Sequence, residues 1–576
     1  MVNKRRFLYR LIMVLLIMIF LQGWGSLVFS DSHSQLLTDN KSIPKEFIRR
    51  QGNQLVVGAD DRPILLRGVC FTNNIFWGNI FERRRYHHNE TDFQRIREMH
   101  MNVIRFYMHY SWFEDDGSPY RYKKSGWAWL DQNIRWAKNN NVYLILDMHF
   151  PQGGYQSGRQ GMALWEVPEN QRRLIALWRA IAERYQNEPI IAGYDLLNEP
   201  ITSSSLDQWR NLANRIAEAI RTVDRNHLLI VERLNGINLD WSSSYKLNFF
   251  LLNDSNTMYT FHFYLPYEYS HQNSWARVPA DGSYPDPNEV LAPADVIRSA
   301  ATVDNPIAPS GNSPWTYYEG IKYQVTDPRI ILGKPVLVAH STGKNGKVYF
   351  DGFVIKEYDK NRIFVKDVCK VNFTLKTGRV YPAVIPSEVF KVWSYWSKNK
   401  SGKPSMSILQ GHSGITSIKI SDTTDDAYCS NNSYRFKITT GHYYQICGWM
   451  KGKNLSPEAK CQYRIDFESS PSGGQVYGRN KEYLESALIQ FLDFGTRNNV
   501  PLFCGEFGLN KDCFYTGKGG LNWVADIVDL FISYGLHFTY HTYNEWDWGI
   551  YRNDNGLPDP AQANKELVDL LTDALK

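Results

Sequence analysis

Two glutamates sit where paired carboxylate chemistry is expected. Glu199 lies in YDLLNEP (194–200) and Glu506 in FCGEFG (503–508), each beside a run of apolar and aromatic residues. Two carboxyl groups that meet across one cleft can share a reaction: one protonates a leaving oxygen, the other attacks or activates water. That is the chemistry of glycosidic bond cleavage. Other polar groups stand in comparable places: Arg105 in VIRFYM, Asp147 and His149 in DMH, Asn198 beside Glu199, and His262 and Tyr264 in HFY. Taken alone, Asn-Glu-Pro reads equally well as a turn after a strand, and Gly-Glu-Phe-Gly is weaker still. Both motifs gain meaning only if the fold brings them to one mouth.

The elements that could do so are legible. Short apolar, β-branched runs alternate with amphipathic helical stretches over most of the chain, the pattern of a parallel sheet wrapped by helices. The spacing predicts strands at 64–72, 103–108, 142–149, 191–198, 227–233, 257–264, 500–507 and 537–544. Eight is the number that a closed (β/α)8 TIM barrel requires, and in such a barrel the working residues project from the C-terminal strand ends. Glu199 then ends the fourth strand and Glu506 the seventh. Between strands, Leu174, Leu177, Trp178, Ile181 and Tyr185 recur at helical spacing, with Arg172, Arg173, Arg179 and Glu183 expected to face mostly outward. Ser205 is placed to cap the next helix. The helix between strands five and six is the least defined, because 241–253 is rich in Ser and Asn.

The alternation breaks after the sixth strand. A Pro/Gly/Ser-rich stretch from Pro279 to Pro314 reads as a long loop at the barrel mouth, and from about 335 to 470 short alternating segments such as ITSIKIS, YRFKITT and QYRIDFE replace the helical rhythm. These predict an all-β sandwich inserted in the barrel chain. The resulting division is a signal segment at 1–30, the first part of the barrel with strands one to six at 31–334, the sandwich at 335–475, and the second part of the barrel with strands seven and eight at 476–576.

YDLLNEP, FCGEFG, HFY and DMH together resemble glycoside hydrolase family 5, cellulase-like retaining β-glycosidases, over about 50–335 and 475–576. The resemblance implies a double-displacement mechanism with Glu199 as acid/base and Glu506 as nucleophile. It implies that Asn198 bonds the sugar 2-hydroxyl, that Arg105 and Tyr264 hold Glu506 ionised, and that His149 and His262 contact the sugar or the acid/base. Trp546 would be the platform beneath the cleaved residue, in preference to Trp548. No cofactor is implied, and no metal, although Asp147, His149 and His262 form a conceivable ligand set. An Arg105 near Glu506 and away from Glu199 would keep the nucleophile ionised while the acid keeps its proton. The insert is similar to carbohydrate-binding modules, with Trp393, Trp396, Tyr443, Tyr444 and Trp449 as a stacking surface; a purely structural sandwich is the alternative.

Composition bounds the rest. A chain of 576 residues exceeds one ordinary core of roughly 250 to 300 residues, so two domains are expected. Lys4, Arg5, Arg6 and Arg10 precede an apolar run from Leu11 to Phe20, the layout of a secretory signal peptide cleaved after Ser30, or of a retained signal anchor. Loss of those four basic residues lowers the formal net charge from +6 to +2, which excludes a nucleic-acid partner as an expectation. Arg83, Arg84, Arg85, His87 and His88 cluster either as a grip for an acidic sugar or as a solvated loop face. Export would permit disulfides among the seven cysteines, with two bridges conceivable among Cys369, Cys429, Cys447 and Cys461, and a Cys504–Cys513 clamp on the Glu506 loop. The expected whole is a secreted monomeric hydrolase of β-linked polysaccharide, most simply an endo-β-1,4-glucanase. An exo-acting or oligosaccharide-trimming β-glycosidase, a β-mannanase and a non-catalytic sugar-binding surface protein are the alternatives.

Overall fold

The computed structural model describes residues 46–76, 80–157, 160–238, 248–274, 282–292, 296–371, 384–385, 393–408, 410–412, 416–430, 434–470, 475–553 and 556–576. The signal segment at 1–30 therefore lies outside the described residues. Among those described, no helix is long and apolar enough to cross a membrane.

Eight apolar runs form parallel strands: β1 (Arg67–Phe71), β2 (Val103–His109), β3 (Tyr143–Phe150), β4 (Ile191–Asp195), β5 (Leu228–Glu232), β6 (Thr257–Phe263), β7 (Leu502–Phe507) and β8 (His537–Tyr540). They close into a barrel in the order β6-β7-β8-β1-β2-β3-β4-β5. Each strand is buried on both faces, which is why the sequence shows continuous apolar runs rather than alternation. Helices pack outside: α1 (Glu90–Glu98), α2 (Lys124–Asn140), α3 (Pro168–Tyr185), α4 (Leu206–Arg221), α5 (Lys481–Asn498), α6 (Gly520–Ser533) and α7 (Lys565–Ala574). The described part of the β5–β6 connection holds no helix.

The helix stripes meet the barrel as their spacing requires. Leu174, Leu177, Trp178, Ile181 and Tyr185 of α3 are all buried, and the Trp178 indole N–H donates to the Leu196 carbonyl at 3.0 Å. Arg173 departs from its expected outward position: it is buried and ion-pairs with the fully buried Glu114 at 2.9 Å. Ser205 stands at the N-cap of α4 in an extended conformation, but its side chain accepts no cap hydrogen bond. The basic cluster after β1 divides: Arg85 is exposed, as a solvated face requires, whereas Arg84, His87 and His88 are buried. Arg84 is packed over the rings of Phe81, Trp112 and Trp129, and His87 and His88 are buried and joined to Asn133.

Beyond β6 the chain leaves the barrel through Asp286–Leu291 and comes back through Tyr477–Arg479, and these two segments pair antiparallel. Arg479 secures the junction. It donates to the Ser283 carbonyl at 2.6 Å, pairs with Glu289 and lies over the Tyr269 ring. Between them stand two antiparallel sheets whose facing residues share one core, with Phe350 against Tyr463 and Tyr444 against Phe467. The layers begin before residue 335: Ile297–Ala301 pairs with Lys460–Ser469, and Thr316–Glu319 with Tyr443–Lys453. Both early strands are short and largely exposed, so they carry no alternating apolar signal among their Pro, Gly and Ser neighbours.

Two other expectations for the insert change. Trp393 and Tyr444 are buried in its core and present no stacking face, whereas Trp396 is 46% exposed. All seven cysteines are free thiols. Cys429 and Cys461 lie on opposite sides of the strand Ile330–His340, while Cys369 and Cys447 pair with consecutive residues, Ile355 and Val354, whose side chains leave opposite faces. Cys504 donates to the Glu506 carbonyl and Cys513 to the Tyr269 carbonyl, so neither clamps the loop.

Trp178→Ala would open a cavity between α3 and the barrel and remove a buried hydrogen bond. It should cost about 3 to 5 kcal/mol, read as a lower urea midpoint of barrel unfolding. An unchanged midpoint would contradict this packing.

Candidate active site

The site is built outward from β2. Alternation places Arg105 and Tyr107 on one face of that strand, pointing into the barrel. The Arg105 guanidinium is fully buried and reaches partners from three strands: Nε to Asp195 at 2.8 Å, Nη1 to Glu506 at 2.7 Å, and Nη2 to Asn198 at 3.0 Å and Asp147 at 3.1 Å. A buried cation is tolerable only when so paired, and the guanidinium fork offers enough donors to satisfy all four at once. Burial alone would push Asp147 and Asp195 far up; with Arg105 opposing it, both stand at about 7.

Glu506 ends β7 with both oxygens engaged. Oε1 accepts from Arg105 and from the Tyr107 hydroxyl at 2.6 Å, and Oε2 accepts from the Tyr264 hydroxyl at 2.8 Å. Burial raises its pKa, but the positive charge of its neighbours, His262 and Arg105 foremost among the charged ones, outweighs it and holds this carboxyl well below the usual range. The Tyr107 and Tyr264 phenols are pushed well up by burial, so both remain donors. The residue before Glu506 has to be glycine: a Cβ on Gly505 would stand 2.7 Å from Thr260 Oγ1 and 3.2 Å from His262 Nε2.

Glu199 follows β4 in a left-handed conformation, φ 41°, uncommon for a residue with a side chain. Its Oε1 accepts from His262 Nδ1 at 2.9 Å, and the same nitrogen lies 3.5 Å from Glu506 Oε2. One imidazole nitrogen thus reaches both carboxylates, which keeps those two oxygens closer than the ~6.5 Å at which inverting pairs begin. The charge distribution differs from the expected split. Burial raises Glu199, but the hydrogen bond and charge of His262 overcome it and leave Glu199 lowered as well. Burial lowers His262, but Glu232, Glu506 and Glu199 together raise it to about 9. At neutral pH the Glu199–His262 pair therefore carries one proton, held on the imidazole side.

The remaining residues are placed as follows. His149 donates from Nδ1 to Asp147 at 2.8 Å, stacks on Tyr107 with ring centroids 3.9 Å apart, and is pushed down to about 3 by burial, hence neutral. Asn198 donates to Ser157 while accepting from Arg105. Trp546 stands on the loop after β8, 56% exposed, with Lys511 over its ring; Trp548 is buried against Tyr264. Asp147, His149 and His262 do not assemble as a ligand set, since His149 is committed to Asp147 and His262 to Glu199. At the barrel mouth the donor atoms that gather within 4.8 Å belong to Glu199, Glu232 and His262; a second such group, His340, Asp425 and Asp426, lies in the inserted layers.

Three residues escape the motif reading. Tyr107 bonds Glu506 directly, His541 at the end of β8 lies 3.0 Å from the Tyr107 hydroxyl, and Glu232 at the end of β5 accepts the Glu199 N–H at 2.7 Å. The signals existed: Tyr107 is two residues beyond Arg105 on the same strand, and Glu232 and His541 occupy the strand ends at which barrel sites are built.

Residues 57–304 match the model of Cellulase (glycosyl hydrolase family 5). Over that stretch, which is under half of the chain, it is similar to a family 5 glycoside hydrolase domain. The match spans β1 to β6 and ends just past the first strand of the antiparallel layers, Ile297–Ala301. The chain is 31% identical over 185 residues to Endoglucanase C of Acetivibrio thermocellus, covering 32% of this chain and 52% of that protein. It is 32% identical over 155 residues to a Beta-xylosidase of Phanerodontia chrysosporium, covering 26% and 32%. It thus spans about half the length of the first of these relatives, or less. Among solved structures it is similar to the endoglucanase Cel5A of Thermotoga maritima, at 13% identity and TM-score 0.45, covering 88% of this chain and 96% of that one.

Tyr107→Phe removes a hydrogen bond made to the ionised form of Glu506, so the Glu506 carboxylate should take up its proton at higher pH. Infrared difference titration against Glu506→Gln reads this directly. A carboxyl band that titrates at the same pH in both proteins would contradict the assigned role of the phenol.

Proposed function

We propose that the chain is an exported retaining hydrolase of β-linked glycans, an endo-β-1,4-glucanase in its simplest form, with Glu506 as nucleophile and Glu199 as acid/base. The observation that carries the reading is the shared imidazole: two carboxylates of unlike environment within reach of one His262 nitrogen, 2.9 Å from Glu199 Oε1 and 3.5 Å from Glu506 Oε2. The family match and the name of the Acetivibrio relative support the reaction class and the glucan substrate.

The geometry supports a definite order of events. Glu506 Oε2 carries one hydrogen bond and Oε1 two, so Oε2 is the better nucleophile toward the anomeric carbon. As that bond forms, the bond from the anomeric carbon to the leaving oxygen breaks. The leaving oxygen takes the proton of the Glu199–His262 pair, delivered through Glu199. Arg105 and the two phenols stabilise Glu506 as a leaving group in the second step, when Glu199, now a carboxylate, removes a proton from the incoming water. Water attacks the face that the first sugar vacated, and the product keeps the β configuration. Asn198, fixed from behind by Arg105, is positioned to meet the 2-hydroxyl, and the exposed Trp546 indole suits stacking on a sugar ring.

Purified protein incubated with β-glucans, mannans and xylans should release a ladder of oligomers whose new reducing ends are first seen as β-anomers by proton NMR. Glu506→Gln should lose roughly 10³-fold or more of that activity. A fixed short product overturns the endo reading, α-anomers appearing first overturn retention, and full activity in the variant overturns the nucleophile.

A further inference from the structure

Glu232 is a fully buried carboxyl at the end of β5 to which the mechanism above assigns no step. Its Oε2 accepts the backbone N–H of Glu199 at 2.7 Å and lies 3.5 Å from His262 Nε2. Its Oε1 accepts from Asn235 Nδ2 at 2.7 Å, which fixes the carboxyl from its outer side. The three groups therefore close a ring of contacts: Glu199 Oε1 to His262 Nδ1, then His262 Nε2 to Glu232 Oε2, with Glu232 returning to the Glu199 main chain. The N–H that Glu232 holds belongs to the one site residue with a left-handed backbone, and such a conformation persists only where the surroundings enforce it.

We propose that Glu232 is a positioning residue for proton transfer: one oxygen holds the Glu199 backbone in its left-handed turn and faces the outer nitrogen of His262, so that acid/base and imidazole are aimed as one unit. The proposal rests on the reading of Glu199 as acid/base. Its consequence is selective. Weakening Glu232 harms the step in which a leaving oxygen needs a proton and spares a leaving group that departs without one. A residue serving stability alone would lower both rates together.

The test compares two aryl β-cellobiosides on the full chain, 2,4-dinitrophenyl with an acidic leaving group and phenyl with a basic one, in wild type, Glu232→Gln, Asn235→Ala and Glu199→Ala. For Glu232→Gln, kcat/KM on the phenyl glycoside should fall roughly 10- to 100-fold, the loss typical of a lost supporting partner, and by no more than about threefold on the dinitrophenyl glycoside. Asn235→Ala, which loosens Glu232 without touching Glu199 or His262, should show a smaller loss with the same selectivity, and it decides the matter if Glu232→Gln does not fold. Glu199→Ala should show the selectivity in full, about 10² to 10⁴-fold on the phenyl substrate. If Glu199→Ala lacks selectivity, or wild type cleaves neither glycoside, the acid/base or substrate reading fails and the proposal with it. If Glu199→Ala is selective but both other variants behave as wild type, or lose both activities equally, only the role of Glu232 is overturned.

Discussion

A single buried guanidinium sets the terms on which the barrel mouth can exist. Arg105 rises from β2 into the buried interior of the barrel and ties Asp147, the Asp195–Asn198 segment and Glu506 to one point. The interaction runs both ways. The cation is tolerable only because carboxyl groups surround it, and the cation in turn offsets part of what burial costs those groups as carboxylates. Three groups expected to meet substrate are fixed directly to this hub or one residue removed from it: Asn198 by Nη2, Glu506 by Nη1, and His149 through Asp147. The unevenness of the field follows. Glu506 lies on the guanidinium and far below the ordinary carboxyl range, whereas Glu199, which leans on His262, shares its proton with the imidazole.

The inserted layers interrupt the barrel between β6 and β7 without opening it. The outgoing and returning segments pair with each other, Arg479 locks them to Tyr269 and Ser283, and β6 and β7 lie side by side despite the length of chain between them. Because the two ends of the insert stay together, the strand that carries Glu506 can find its register as though the insert were a short loop. This is why two motifs so distant in the chain meet at one histidine.

The barrel was legible in the sequence because buried parallel strands write themselves as unbroken apolar runs, and each of the eight observed strands falls within its expected span or extends one residue past it. Glu199, Glu506, Arg105, Asn198, His149, His262 and Tyr264 are all found at one mouth. What escaped has physical causes. The strands at 297–301 and 316–319 are exposed edges without an alternating pattern. Arg173 reads as a solvated helix charge because its partner, Glu114, is far away in sequence. Glu232 sits in a run of residues that looks merely apolar. The charge on His262 depends on three carboxylates converging from β4, β5 and β7, which no linear pattern displays.

The account stands on the identity of the nucleophile. The decisive measurement is to trap the enzyme with a 2-deoxy-2-fluoro β-cellobioside bearing a dinitrophenyl leaving group, digest it and locate the added sugar by peptide mass spectrometry. The label should lie on Glu506. A label on Glu199 or Glu232 instead would contradict the central claim.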